Sequence, residues 1–150
     1  MGGHQWRTRT NKLSNGQKKN GVELGSIPVG KYPQEMAISR SKGYLFVACM
    51  RDDQNLTAGA IGSVYVIDIN TLQVVKKLYG FFNQPHDVCV DEQDGLIFIC
   101  STNQGGVAHH ISTCGGANGW YSVYDLNTLL PADNKVYEVL SFPYALANRF

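Results

Sequence analysis

The sequence predicts an all-β protein assembled from four-stranded antiparallel sheets, and three observations carry that expectation. Short segments rich in β-branched and aromatic residues follow one another, and no helix-period segment competes with them. Clusters of turn-forming residues separate them. Two groups of segments also repeat each other in register: "YPQEMAISRSKGYLFVAC" (32–49) matches "QPHDVCVDEQDGLIFICS" (84–101). Pro33 falls on Pro85, Glu35 on Asp87, Gly43 on Gly95 and Phe46 on Phe98, each pair 52 residues apart.

Taken in order, the first unit has strands expected at 36–39, 44–49, 63–69 and 74–79, punctuated by "SRSKG", "MRDDQNLTAGAIG" and "NTL". The second unit repeats its later half as well. "GSVYVIDINTL" (62–72) matches "GWYSVYDLNTL" (119–129) at a spacing of 57, so the second copy carries five extra residues in the loop before this block. Asp68 and Asp125 recur ahead of Asn-Thr-Leu, which predicts a turn-forming role for both carboxylates. A third copy opens at "FPYALANRF", where Pro143 takes the place of Pro85 and Pro33.

The strands are apolar on both parities, as in "YLFVAC" and "LIFIC", so each small sheet needs cover on both faces. Units of ~40 to 50 residues with four strands and neighbours on both sides are the blades of a β-propeller. A sandwich also spaces short strands regularly, but it would not repeat Pro, Gly and Asp-x-Asn-Thr-Leu in one register. The expected division is a basic segment at 1–21 and propeller repeats at 22–150. Within the repeats, blade one covers about 32–80, blade two 84–141, and a further blade starts at 142–150. "KKNGVELGSIPVG" reads as the outer strand of a preceding blade and "PYALANRF" as the inner strand of a following one. Two blades make an incomplete propeller, since closure takes roughly 4 to 8. Further blades are expected, either in a longer chain or by self-association.

The repeats resemble the YVTN-type β-propeller family, related to the NHL repeats and to the propeller of nitrous oxide reductase. The likeness lies in "VGKYPQEMAISRSKGYLFVAC", "GSVYVIDINTLQVVKKL" and their second copies, and it spans 22–150. Phe46-Val47-Ala48-Cys49 and Phe98-Ile99-Cys100-Ser101 stand where the family carries Tyr-Val-Thr-Asn. The resemblance implies about seven blades, within the usual range of closed propellers. It also implies export in bacteria or archaea, and so a periplasmic or extracellular place. No functional residue is carried over, because "AHHISTCGG" lies outside the family's repeat.

A content of 43% hydrophobic and 17% charged residues excludes a disordered chain, and a net charge of +1 provides no general field for nucleic acid. Arg7, Arg9, Lys12, Lys18 and Lys19 precede any acid, and such a run reads as a solvated segment rather than a nucleic-acid arm. No apolar stretch approaches the ~18 to 20 residues that cross a bilayer, so no membrane span is expected. The four cysteines lack C-x-x-C spacing. Cys49, Cys89 and Cys100 fall in strands as small buried side chains, while Cys114 lies in a loop beside Gly115 and Gly116.

Up-and-down strands place the loop before strand one and the loop joining strands two and three at the same end. That end is the expected ligand-binding face, with His86, His109, His110, Asp52, Asp53 and Glu35. His86, His109, His110 and Cys114 are also the candidate metal ligands: imidazoles with a thiolate suit copper, zinc or iron. Loop histidines equally serve as hydrogen-bonding groups, and adjacent residues such as His109 and His110 tend to diverge. The expectation is therefore a noncatalytic scaffold without cofactor, binding a protein or small ligand through its loop-rich face. The alternative is a metal-dependent oxidoreductase or electron-transfer propeller. Asn55-Leu56-Thr57 forms a glycosylation sequon, and Trp120 and Tyr121 are expected between blades.

Overall fold

In the computed structural model, which describes residues 26–57, 60–80, 82–102, 118–141 and 143–147, eight strands form two antiparallel sheets. The first has the order β1 (Lys31–Ser39), β2 (Tyr44–Arg51), β3 (Ser63–Asp68), β4 (Gln73–Leu78); the second, β5 (Pro85–Asp91), β6 (Leu96–Ser101), β7 (Asn118–Asp125), β8 (Tyr137–Ser141). No helix occurs among the described residues. Within each sheet spatial order equals chain order, so each strand pairs only with its sequence neighbours there.

Turn chemistry fixes the links. Gly43 and Gly95 take left-handed φ values of 67° and 68°, a conformation open to glycine without a Cβ clash. Beside them Ser39 Oγ accepts from Lys42 N at 3.2 Å, and Asp91 Oδ1 accepts from Gln93 N and Asp94 N at 2.9 and 3.0 Å. Asp68 Oδ1 accepts from Asn70 N and Thr71 N, both at 2.8 Å; Asp125 Oδ1 accepts from Asn127 N and Thr128 N at 2.9 and 2.7 Å. Leu72 and Leu129 have φ of 59° and 55°. A leucine there is strained, and its amide bond to the carbonyl of Asp68 or Asp125 holds it in place.

β1 starts at Lys31, ahead of the expected 36, because Lys31 and Pro33 pair with Arg51 and Cys49 before the register slips between Pro33 and Met36. β3 stops at Asp68, whose side chain enters the turn. β8 pairs only with the start of β7, since Pro131 bridges to Tyr124 and residues 130–136 intervene before the strand.

The two sheets stack head to tail. The Phe46, Val64 and Val66 side of the first sheet packs on Val88, Val90, Ile97 and Ile99 of the second, with Phe82 from the β4–β5 link in the same cluster. In the 52-residue repeat, Phe46 corresponds to Phe98 and Ile97 to Leu45. One side of the first sheet therefore meets the opposite side of the second. Such burial contributes roughly 1.5–3 kcal/mol per large apolar side chain. Leu45, Val47, Tyr65 and Ile67 point the other way, where Ile27 and Val29 cover part of them.

Residues 26–30 and 143–147, expected as parts of flanking strands, carry no strand pairing. Pro28 has no N–H to contribute to a ladder. Residues 143–147 instead hold to the second sheet through Cys100 Sγ, which donates to Pro143 O at 3.1 Å, and through Leu146 N, which donates to Asp87 Oδ2.

Candidate functional site

Lys31 pairs with Arg51, and Pro85 with Ser101, so each first strand begins at the end where the second strand finishes. Residues 52–57 and 60–62, between β2 and β3, lie at this end. Their shape comes from two buried polar side chains. Asp52 Oδ2 accepts from Ser63 Oγ at 2.9 Å and Tyr65 OH at 3.0 Å, and Oδ1 accepts from Gln54 N at 3.0 Å. Asn55 Nδ2 donates to Gly62 O at 2.6 Å and Gly80 O at 3.3 Å, and its Oδ1 accepts from Thr57 N. These bonds tie the connection to Gly62 and to Gly80, whose carbonyl also accepts from Phe82 N. They also commit the amide nitrogen that a glycan would occupy, so the sequon's Asn55 faces inward.

Asp53 is the carboxylate this connection presents outward. Lys31 Nζ lies 2.6 Å from Oδ2 and Arg51 Nε 2.9 Å from Oδ1, all three side chains more than half exposed. The Lys31 and then the Arg51 hydrogen bonds hold the Asp53 carboxyl below its ordinary range. Behind them Lys77 Nζ donates to Gln54 Oε1 at 2.7 Å and sits 4.8 Å above the Tyr65 ring. Burial and the hydrogen bond to Asp52 push the Tyr65 hydroxyl upward, so it remains a proton donor to that carboxylate.

His86 lies near the start of β5. Its Nδ1 is 3.1 Å from the carbonyl oxygen of Tyr144, and its ring meets the Tyr144 ring edge-on at 4.7 Å. A carbonyl only accepts, so Nδ1 donates in this contact. Glu35 is exposed at the β1 kink and lines a trough of about 840 Å³ with Arg40, Asp87, Asp91, Glu92 and Tyr144. Asp87, the repeat partner of Glu35, is buried and accepts from Val88 N as well as from Leu146 N.

The structure thus brings Asp52, Asp53 and their partners together, sets His86 against Tyr144, and puts Glu35 in the trough. His109, His110 and Cys114 lie outside the described residues. The described residues flanking them, Thr102 and Asn118, stand at the end of the second sheet where Pro85 begins β5, Thr102 N donating to Gln84 O. Among the described residues no group of three or more His, Cys, Asp or Glu could hold a metal ion. Burial pushes the thiols of Cys49 and Cys100 up to about 12, aided by the nearby charges of Asp52 and Asp87, so neither supplies a thiolate near neutral pH. No described helix is long and apolar enough to cross a membrane.

Sequence reasoning missed the anchoring roles of Asn55 and Tyr65. The sequon drew attention to Asn55 for a different chemistry, and Tyr65 read only as an aromatic residue of an expected strand. No protein-family model matches the sequence, and no curated protein matches it.

Proposed function

We propose that this chain is a noncatalytic β-propeller scaffold of the YVTN type that captures a protein partner through its loop-bearing end. Head-to-tail stacking of repeated four-stranded sheets supports the propeller reading. Heterologous stacking propagates from unit to unit, as blades do around an axis. The repeated Gly–Pro contacts point the same way. Pro85 packs over Gly62 between the sheets, and Pro143 packs over Gly119 where another sheet would follow.

One observation carries the binding reading. Residues 52–57 are fastened from beneath by buried Asp52 and Asn55, yet they hold Leu56 92% exposed. A preorganised loop loses little conformational freedom on binding, and an apolar side chain held exposed on a connection that also presents charged Asp53 matches the core-and-rim pattern of protein interfaces. A small ligand remains the narrower form of this reading, through Glu35 and the trough.

The test compares partner capture by the native chain with capture by Leu56→Asp, Asp53→Lys and His86→Ala variants whose far-UV spectra are unaltered. The first two should lose at least tenfold in retained partner; unchanged capture removes the reading. Elemental analysis addresses the oxidoreductase alternative. The scaffold predicts no stoichiometric copper, zinc or iron, and metal that disappears on replacing His109 and His110 reverses the ranking.

A further inference from the structure

Strand register sets Lys31 of β1 directly opposite Arg51 of β2 at the loop-bearing end. Like charges facing each other across a ladder repel, and the Asp53 carboxylate, bonded to both, relieves that repulsion. Two cations against one carboxylate leave the trio with a positive charge in excess. Asp52, the neighbouring carboxylate, does not offset it at the surface, because it is buried and bonded to Ser63 and Tyr65. Arg51 meets Asp53 through Nε, on the side edge of its guanidinium. That contact leaves the end edge, formed by the two Nη groups, with the fork geometry that takes a carboxylate.

Tyr32, next along β1, holds a left-handed backbone at φ 54° with its side chain 55% exposed. The repeat does not call for an aromatic residue there. Its partner 52 positions on is Gln84, at φ 55°, which is half-buried and whose carbonyl accepts from Thr102 N at 3.2 Å. Lys31 likewise falls on Asn83, which is buried. The second copy therefore uses these two positions for packing, and the first copy turns them to solvent as a cation and a ring. A bulky residue in left-handed backbone is strained, and an exposed ring gains little from the fold in return.

We propose that the partner captured at this end presents an acidic segment, with a carboxylate on the Nη edge of Arg51 beside Lys31 and an apolar side chain against Tyr32. The anion answers the excess charge, the fork matches its shape, and the ring supplies the apolar contact that a carboxylate lacks. Asp53 keeps the two cations together; a lysine in its place would drive them apart, in line with the loss expected of Asp53→Lys. The inference rests on the binding reading above and adds the chemistry of the partner.

Fluorescence anisotropy with a short labelled peptide, glutamates around one phenylalanine, tests it. The native chain should bind this peptide at low salt about tenfold more tightly than the matching glutamine peptide, and the affinity should fall as salt is raised. Arg51→Lys keeps the charge without the fork and should bind several-fold more weakly; Arg51→Gln loses both and should bind about tenfold more weakly. Tyr32→Gly should also bind more weakly yet melt no lower than the native chain, because glycine relieves the left-handed backbone. A ring needed only for folding would lower the melting temperature and leave the affinity alone. Lys31→Gln replaces Arg51→Gln if that variant loses its folded far-UV spectrum. Absent or salt-independent binding, equal binding of the glutamine peptide, or native affinity in either the cation variant or Tyr32→Gly overturns the inference. Leu56-dependent capture of a whole protein is measured apart from the peptide, so it separates a wrong partner chemistry from a wrong binding end.

Discussion

Pro85 closes on Gly62 so tightly that a Cβ at residue 62 would lie 2.0 Å from the proline Cδ and 2.8 Å from the carbonyl oxygen of Cys49. The second copy repeats the contact: a Cβ at Gly119 would lie 2.2 Å from Pro143 Cδ and 2.5 Å from Ser101 O. Glycine is needed at these two positions because the next repeat's proline rests directly on the backbone, not because of turn geometry.

Gly62→Ala should therefore lower stability by about 1–3 kcal/mol, the range for overpacking a tight contact. Urea denaturation measures it. Pro85→Ala in the same chain removes the obstructing ring, so the double variant should be more stable than the sum of the two single losses. Simple additivity would show that the clash is absorbed elsewhere.

Replacing Asp52 by alanine leaves the hydroxyls of Ser63 and Tyr65 without their acceptor inside the protein. Each stranded group costs about 1–3 kcal/mol. Asp52→Ala should lower the melting temperature clearly, and Asp52→Asn, which keeps one acceptor oxygen, should lower it less. Hydrogen exchange should quicken first at Gln54, whose amide donates to Asp52 Oδ1. Uniform quickening across both sheets would deny Asp52 a local role.

Asp68 and Asp125 act as acid-labile fasteners. The amide of Thr71, then that of Asn70, lowers the Asp68 carboxyl, and the amide of Thr128 does most to lower that of Asp125. A depressed folded-state value means that the unfolded chain takes up protons first as pH falls. The stabilisation is present above the ordinary carboxylate value and is lost as pH drops through the folded one. The gap in melting temperature between native protein and Asp68→Ala should be widest near neutrality and narrow below about pH 4. A gap independent of pH would assign the effect to the backbone alone.

The buried thiols set the opposite limit. Cys49 and Cys100 are raised from 9.0 to about 12 by burial, so the unfolded chain loses these protons before the folded one. Stability should be level below about pH 8.5 and fall as pH climbs toward 12. A Cys49→Ala, Cys100→Ala chain starts less stable at neutral pH but should lose less over that alkaline interval. An identical decline in both proteins would leave the loss to other groups, among them Tyr124, which burial also raises to about 12.

The strands and their turns were legible because the signals are local. Short β-branched and aromatic segments, Gly43 and Gly95, and the two Asp-x-Asn-Thr-Leu turns act over a few residues, and the structure uses them as the sequence implies. Strand ends were less legible. The start of β1 and the shortness of β8 depend on what lies across the ladder, at Arg51, Cys49 and Pro131. Within the candidate site, the pattern placed Asp52 and Asp53 side by side but could not tell inward from outward. That choice follows from the Ser63 and Tyr65 hydroxyls beneath one and the Lys31 and Arg51 cations beside the other.

By itself the sequence determined that the protein is built from two repeated units of four antiparallel strands, since a 52-residue register of Pro, Gly and Phe can be read along one dimension. Only the tertiary structure decided which side of each sheet meets the other and which carboxylate turns to solvent. Those outcomes depend on contacts between residues far apart in the chain, such as Pro85 on Gly62 and Tyr65 on Asp52, and local pattern carries no record of them.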